Sequence, residues 1–243
     1  MKQPLLALKD VSFKVGGSTL LRDMSLTISQ GEKVALVGAN GAGKSSLLKV
    51  VAGLLPRYTG SVTLEGSEVR DLSDRQRSRL VSYVPQRLPF VPRFTVREFL
   101  ELSGATDLSG IDPTVIDILD RSLPDLSGGE LQRVVVVGAI AQRARLVLLD
   151  EPTAHLDPNG RGEVEGIVQR YHHEQQISYL LVTHDISLAT RLAERIVIVR
   201  QGSIFWDGAV SDAGLPGLLE QAYGSRFTRV DHPSTGEWWI IPG

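Results

Sequence analysis

One eight-residue stretch constrains this chain more than anything else in it. Gly38-Ala39-Asn40-Gly41-Ala42-Gly43-Lys44-Ser45 has the spacing G-x-x-x-x-G-K-[ST]. The apolar run at 33–37 reads as a strand leading into it, and residues 45–55 read as a helix leading out, stopped near Pro56. Glycines in such a loop let the backbone wrap closely enough for successive N–H groups to face one anion. The helix N-terminus adds partial positive charge. Lys44 is then placed to reach the β- and γ-phosphates of a nucleotide and the Ser45 hydroxyl to ligate Mg²⁺, with Ser46 next in the first helical turn.

Two further patterns point to the same chemistry. Leu146-Val147-Leu148-Leu149 is an apolar strand that ends in Asp150-Glu151. A buried strand carries its last residues to the carboxyl edge of a sheet, where open α/β sheets bind ligands. There Asp150 can hold Mg²⁺ through its water shell, and Glu151 can orient or deprotonate the water that attacks a γ-phosphate. Leu126-Ser127-Gly128-Gly129-Glu130 opens a helix over 130–142, with Ser127 as N-cap and Glu130 in the first turn. Ser127 and the amides of Gly128 and Gly129 are a second candidate phosphate contact. One γ-phosphate does not need two such sites from one chain, so the second implies a dimer that shares nucleotide.

The rest of the chain supports an α/β fold with a largely parallel sheet. Strands are expected at 5–13, 24–28, 33–37, 61–64, 146–149 and 179–182, and a hairpin at 196–199 with 203–206. Helices are expected at 71–80, 161–175 and 188–194. Residues 87–126 differ, because Pro89, Pro92, Pro113 and Pro124 punctuate short helical pieces at 95–102 and 113–119. His155 and the pair His172-His173 are expected at the surface rather than on a metal.

Composition removes several function classes. Among 243 residues there is no cysteine, hence no disulfide, zinc-thiolate site or thiol nucleophile. A net charge of −2 gives no electrostatic footprint for nucleic acid. The N-terminus lacks a secretory pattern, and no apolar run approaches the roughly 20 residues of a spanning helix, so a soluble chain is expected.

Taken together, the motifs resemble those of the nucleotide-binding subunits of ABC transporters, over nearly the whole length and in the family's order. The Walker A loop is Gly38–Ser45 and the Q-loop glutamine is Gln86. The signature is 126–130, Walker B is 146–150 followed by Glu151, the D-loop is Ala154-His155-Leu156-Asp157, and the switch histidine is His184. The resemblance implies a P-loop NTPase (RecA-like) core with an antiparallel β subdomain and a short inserted helical subdomain. As one ABC ATPase domain over 1–243, the core would be 1–86 and 137–243, and the helical subdomain 87–136. It implies ATP and Mg²⁺ as ligands, with Ser45, Gln86 and Asp150 at the metal. It also implies Lys44, Glu151 and His184 as catalytic residues and a head-to-tail pairing of ATPase subunits in which Asp157 links the two sites. Integral membrane permease subunits docking near 86–100, and a substrate-binding protein, would place the chain at the cytoplasmic face of the membrane.

Within that family, Leu80-Val81-Ser82-Tyr83-Val84-Pro85-Gln86 and the tail Leu218–Gly224 with 237–242 are similar to ATPases of iron-siderophore, haem and cobalamin importers. Zinc and manganese importers share the layout. Two features depart from the family pattern. Val15 stands where an aromatic ring usually stacks on adenine, with Phe13 expected in the core, and Ser103-Gly104 replaces a Gly-Arg pair. The alternative is an ABC ATPase that acts on nucleic acid or ribosomes. Against it stand a single motif set and only 40 positions from Gln86 to Leu126, too few for coiled-coil arms. A regulatory subunit that barely hydrolyses is a third reading, opposed by Glu151 and His184. Trp238 and Trp239 are expected in a strand packed on the core.

Overall fold

A computed structural model describes residues 3–105, 110–231 and 238–243. Glu237, quoted above for the tail, lies outside the described residues. Two long strands, β1 (Leu6–Val15) and β2 (Ser18–Ile28), form a hairpin through Gly16-Gly17. They join β4 (Thr59–Leu64) and β5 (Ser67–Glu68) in an antiparallel sheet of order β2-β1-β4-β5. Both strands of the hairpin run further than the alternation of apolar residues predicts, because Lys14 and Val15 pair with Thr19 and Ser18 while pointing to solvent.

The second sheet contains β3 (Lys33–Val37), β6 (Val81–Val84), β7 (Leu146–Asp150), β8 (Ser178–Val182), β9 (Arg195–Arg200) and β10 (Ser203–Ala209). Its order is β10-β9-β3-β8-β7-β6, parallel except for the β9–β10 hairpin at one edge. Successive side chains on a strand point to opposite faces, and here each face has its own core. Val34, Leu36, Leu146, Leu148, Leu180, Val182, Val197 and Val199 pack on α1 (Lys44–Val51) and the antiparallel sheet. Their alternates split between two cores on the other face. Val147, Leu149 and Leu181 meet α3 (Val96–Leu102), α5 (Gly128–Ala141) and α6 (Pro158–Gln175). Ala35, Val37, Ile196 and Ile198 meet α7 (Ile186–Leu192), α8 (Leu215–Tyr223) and a C-terminal hairpin of β11 (Phe227–Asp231) and β12 (Trp238–Pro242). Burial on both faces explains why these strands read as unbroken apolar runs.

Two further short α-helices are α2 (Asp74–Leu80), capped by Ser73 with Gln76 answering in a capping box, and α4 (Pro113–Ile116). The helix expected at 113–119 thus ends early, and that expected at 45–55 ends at Val51, before Gly53 at φ +72°. Phe13 is 6% exposed, in the core as expected. Trp238 packs against the third core, with the Arg229 guanidinium 4.3 Å from its ring centre. Among the described residues, no helix is long and apolar enough to cross a membrane.

Candidate active site

Four neighbouring parallel strands deliver their carboxyl ends to one edge of the sheet. β3 leads into Gly38, β8 into Thr183-His184, β7 into Asp150-Glu151, and β6 into Pro85-Gln86. A cleft of about 260 Å³ opens there, lined by Asn40 to Ser46, Gln86, Glu151 and Leu20. The fold thus brings together residues from four distant parts of the chain.

The loop after β3 needs its glycines for two different reasons. Gly38 (φ +148°) and Gly43 (φ +102°) are pressed against backbone. An added Cβ would lie 2.1 Å from the Val199 carbonyl oxygen at the first and 2.5 Å from that of Leu20 at the second. Gly41 has open space but adopts φ +77°, which L-residues rarely do. Lys44 is buried under this loop, and its Nζ donates to the carbonyls of Gly38 (2.6 Å) and Ala39 (3.1 Å). Burial pushes its pKa down, against the opposing pull of the Glu151 and Asp150 carboxylates.

Asp150 is 1% exposed. A carboxylate so deeply buried needs donors, and it has two. Ser45 Oγ donates to Oδ1 at 2.8 Å and the Tyr83 hydroxyl to Oδ2 at 3.0 Å. Ser45 and Asp150, an oxygen pair at a buried negative site beside the phosphate loop, suit a hard divalent cation. Glu151 stands at φ +51°, unusual for a residue with a side chain. Its N–H donates to the Val182 carbonyl at 2.9 Å, and its own carbonyl accepts from the Ala154 N–H at 3.0 Å. This bend turns the side chain from the strand toward His184, whose Nδ1 lies 2.8 Å from Glu151 Oε2. With the carboxylate accepting, His184 donates from Nδ1. Asp185 caps α7 behind it, accepting the Leu188 N–H at 3.0 Å.

Gln86 is exposed at the mouth of the cleft. Ser127, Gly128 and Gly129 do not line it. They form the first turn of α5, where Ser127 and Glu130 make a reciprocal capping box. The Ser127 N–H donates to the Glu130 carboxylate at 2.7 Å, which lowers the Glu130 pKa to about 2 together with the Ser127 hydroxyl and Arg121. Nothing lies within 4 Å of a Cβ added at Gly128 or Gly129, and neither has positive φ. Their own chain does not require them to be glycine. Asp157 caps α6 through the Gly160 N–H at 2.8 Å.

The histidines divide. His155 is exposed, at φ +65°, with its Nε2 3.0 Å from Arg87 Nη2. His173 is exposed. His172, expected at the surface, is half-buried, because its Nδ1 meets the Ile177 carbonyl at 2.7 Å and its ring stands edge-on to Tyr179. No group of three or more His, Asp or Glu side chains placed to share a metal occurs among the described residues. Two residues of the site escaped the sequence: Tyr83, and Tyr223 of α8, whose hydroxyl accepts the Gly38 N–H at 2.7 Å. Tyr83 adjoins a recognised motif, and that was its one visible signal.

The ABC transporter family profile matches residues 21–154, more than half of the chain. The cobalamin import ATP-binding protein BtuD of Halobacterium salinarum is 32% identical over 243 residues, covering 94% of this chain and 61% of that protein. The chain thus spans less than two thirds of that relative. The hemin import ATP-binding protein HmuV of Rhodococcus jostii is 33% identical over 241 residues, 93% of this chain and 82% of that protein. Among solved structures, the ATP-binding cassette MJ0796, dimeric and bound to ADP and Pi in a post-hydrolysis state, aligns with TM-score 0.72 at 25% identity over 85% of this chain and 99% of its own. A chain of an ABC transporter in an inward-facing conformation aligns with TM-score 0.80 at 18% identity over 99% and 98%. On both the profile and these relatives, the chain belongs to the ATP-binding family of ABC transporters.

Proposed function

We propose that this chain hydrolyses ATP to energise transport by separate membrane permease subunits. The observation that carries the reading is the convergence of Lys44, Asp150, Glu151, His184 and Gln86 on the carboxyl ends of four adjacent strands. Residues 38–46 hold the triphosphate, with Lys44 exchanging its two loop carbonyls for phosphate oxygens. Ser45, Asp150 and Gln86 hold Mg²⁺, which when bound neutralises charge on the β- and γ-phosphates. Glu151 takes the proton of the attacking water, and His184 orients Glu151 through Nδ1 while facing the γ-phosphate. In a head-to-tail dimer, Ser127, Gly128 and Gly129 of one copy close over the nucleotide of the other. The empty space over both glycines supports that role, since a ligand's oxygens need the room a side chain would take.

Residues 87–136 serve as the helical subdomain, and the permease docks near 86–100. The importer relatives support transport over a role on nucleic acid or ribosomes, and import as its direction. The cargo class is a metal chelate (siderophore-iron, haem or cobalamin) or a metal ion, delivered by a substrate-binding protein, with this subunit at the cytoplasmic face of the membrane. The test is Glu151→Gln in the complex with its permease. Loss of the base is expected to slow hydrolysis by about 100-fold or more and to leave a stable ATP-bound dimer on gel filtration. Equal hydrolysis by wild type and variant would overturn the assignment.

A further inference from the structure

The C-terminal module of α8, β11 and β12 lies beyond the residues matched by the family profile, yet it reaches the first residue of the loop after β3. Tyr223, the last residue of α8, is 185 positions from Gly38, and its hydroxyl oxygen accepts the Gly38 N–H at 2.7 Å. Gly38 is buried, so that N–H has need of a partner. The same residue's carbonyl accepts from Lys44 Nζ at 2.6 Å. One residue therefore joins Tyr223 on one side to the phosphate-binding lysine on the other. The Tyr223 ring is itself fixed edge-on against Phe227 of β11, with ring centres 5.4 Å apart. Gly224 follows at φ +72° and ends the helix, so the ring emerges at a defined place. Burial holds the hydroxyl protonated, with its pKa pushed up to about 12.

We propose that Tyr223 is a positioning residue of the phosphate loop, setting the first residue of the loop and hence the carbonyl that carries Lys44. This rests on the reading of residues 38–45 as a nucleotide-phosphate cradle. Without the hydroxyl, the Gly38 N–H is left to seek water, and the free loop samples conformations that do not present its amides. Binding must then restore the cradle, so affinity falls. Once nucleotide is bound the loop is in place, so turnover at saturation changes little.

Tyr223→Phe in the full chain keeps the ring on Phe227 and removes only the hydroxyl, and with it the acceptor for the Gly38 N–H. Expected are faster amide hydrogen exchange over residues 38–43 without nucleotide, unchanged exchange within α8, and about five- to tenfold weaker binding of MgATP. In the permease complex, KM for ATP is expected to rise by a similar factor with kcat within about twofold of wild type. A folded variant with wild-type loop exchange and wild-type affinity would overturn the proposal. If Tyr223→Phe does not fold, Phe227→Leu decides, since it loosens the ring and keeps the hydroxyl. Faster loop exchange and weaker binding are expected, and no change in either would again overturn it. The two readings fail separately. A wild type that binds no ATP sinks the cradle, while loop exchange still reports on Tyr223.

Discussion

Removing the Tyr83 hydroxyl tests how the site keeps a carboxylate charged in its interior. Asp150 is 1% exposed and takes its two donors from Ser45 and Tyr83, one on each oxygen. Tyr83→Phe deletes one donor and leaves the ring in place on β6. A hydrogen bond to a charged group contributes about 1.5–3 kcal/mol, and an orphaned buried acceptor costs its desolvation. Tyr83 and Asp150 also border a groove with Ser45 and Gln86, through which water can reach the vacated oxygen. That access lowers the expected loss to about 1–2 kcal/mol. For a chain of this length the melting temperature should fall by about 2–8 °C. Thermal melts of the nucleotide-free protein measure it, with the Ser45→Ala and double variants as a cycle. Because both hydroxyls serve one carboxylate, the cycle should be non-additive. MgATP should narrow the gap between wild type and Tyr83→Phe, since a cation at Asp150 supplies the missing compensation. A loss below about 0.5 kcal/mol, or a gap that widens with MgATP, would refute the reasoning.

Three further outcomes follow from single contacts. Glu130 has its pKa lowered to about 2 by the Ser127 backbone and hydroxyl and by Arg121, so its contribution is complete above its ordinary value of 4.5 and is lost as pH falls from there toward 2. Glu130→Gln should flatten the acid limb of a stability–pH curve in that window. Val15 is 54% exposed at the end of β1, so Val15→Tyr adds a stacking face without a clash and should tighten ATP binding by about tenfold, with no gain for inorganic tripolyphosphate in the same calorimetric titration. Gly129→Ala meets nothing within its own chain and should stabilise the isolated subunit by about 0.5 kcal/mol, yet depress hydrolysis in the assembled complex. An alanine variant that hydrolyses normally would mean that no ligand approaches that turn.

What could be read from the sequence follows the range of the forces involved. β3 was legible to the residue, and β7 and β8 to within one, because strands buried on both faces are continuous apolar runs. The cap Ser127 was legible too, since its capping box closes within four residues. β6 was missed: four residues that include Ser82 and Tyr83 carry little apolar signal, and pairing with β7 makes them a strand. α8 was missed because Pro216-Gly217 looks like a turn, although proline is tolerated in a first helical turn. Motif spacing placed Lys44, Asp150, Glu151 and His184, since each ends or follows a strand. It is blind to Tyr223, whose partner in the site among the described residues is a backbone N–H far away in the chain.

Each charged group of the cleft is already held in a contact before a ligand arrives. Lys44 is satisfied by two carbonyls, Asp150 by two hydroxyls and Glu151 by His184. Displacing Lys44 from those carbonyls costs a buried ammonium two acceptors, and only a ligand that offers anionic oxygens at the same place can make good that loss. On the proposed function, a nucleoside without phosphates gains nothing at the loop, and Val15 gives its base no ring to stack on. On the proposed function, recognition by the unaltered chain therefore weighs on the phosphates rather than the base, and the residues that shape the loop, including Tyr223 at its far side, set how well those phosphates are received.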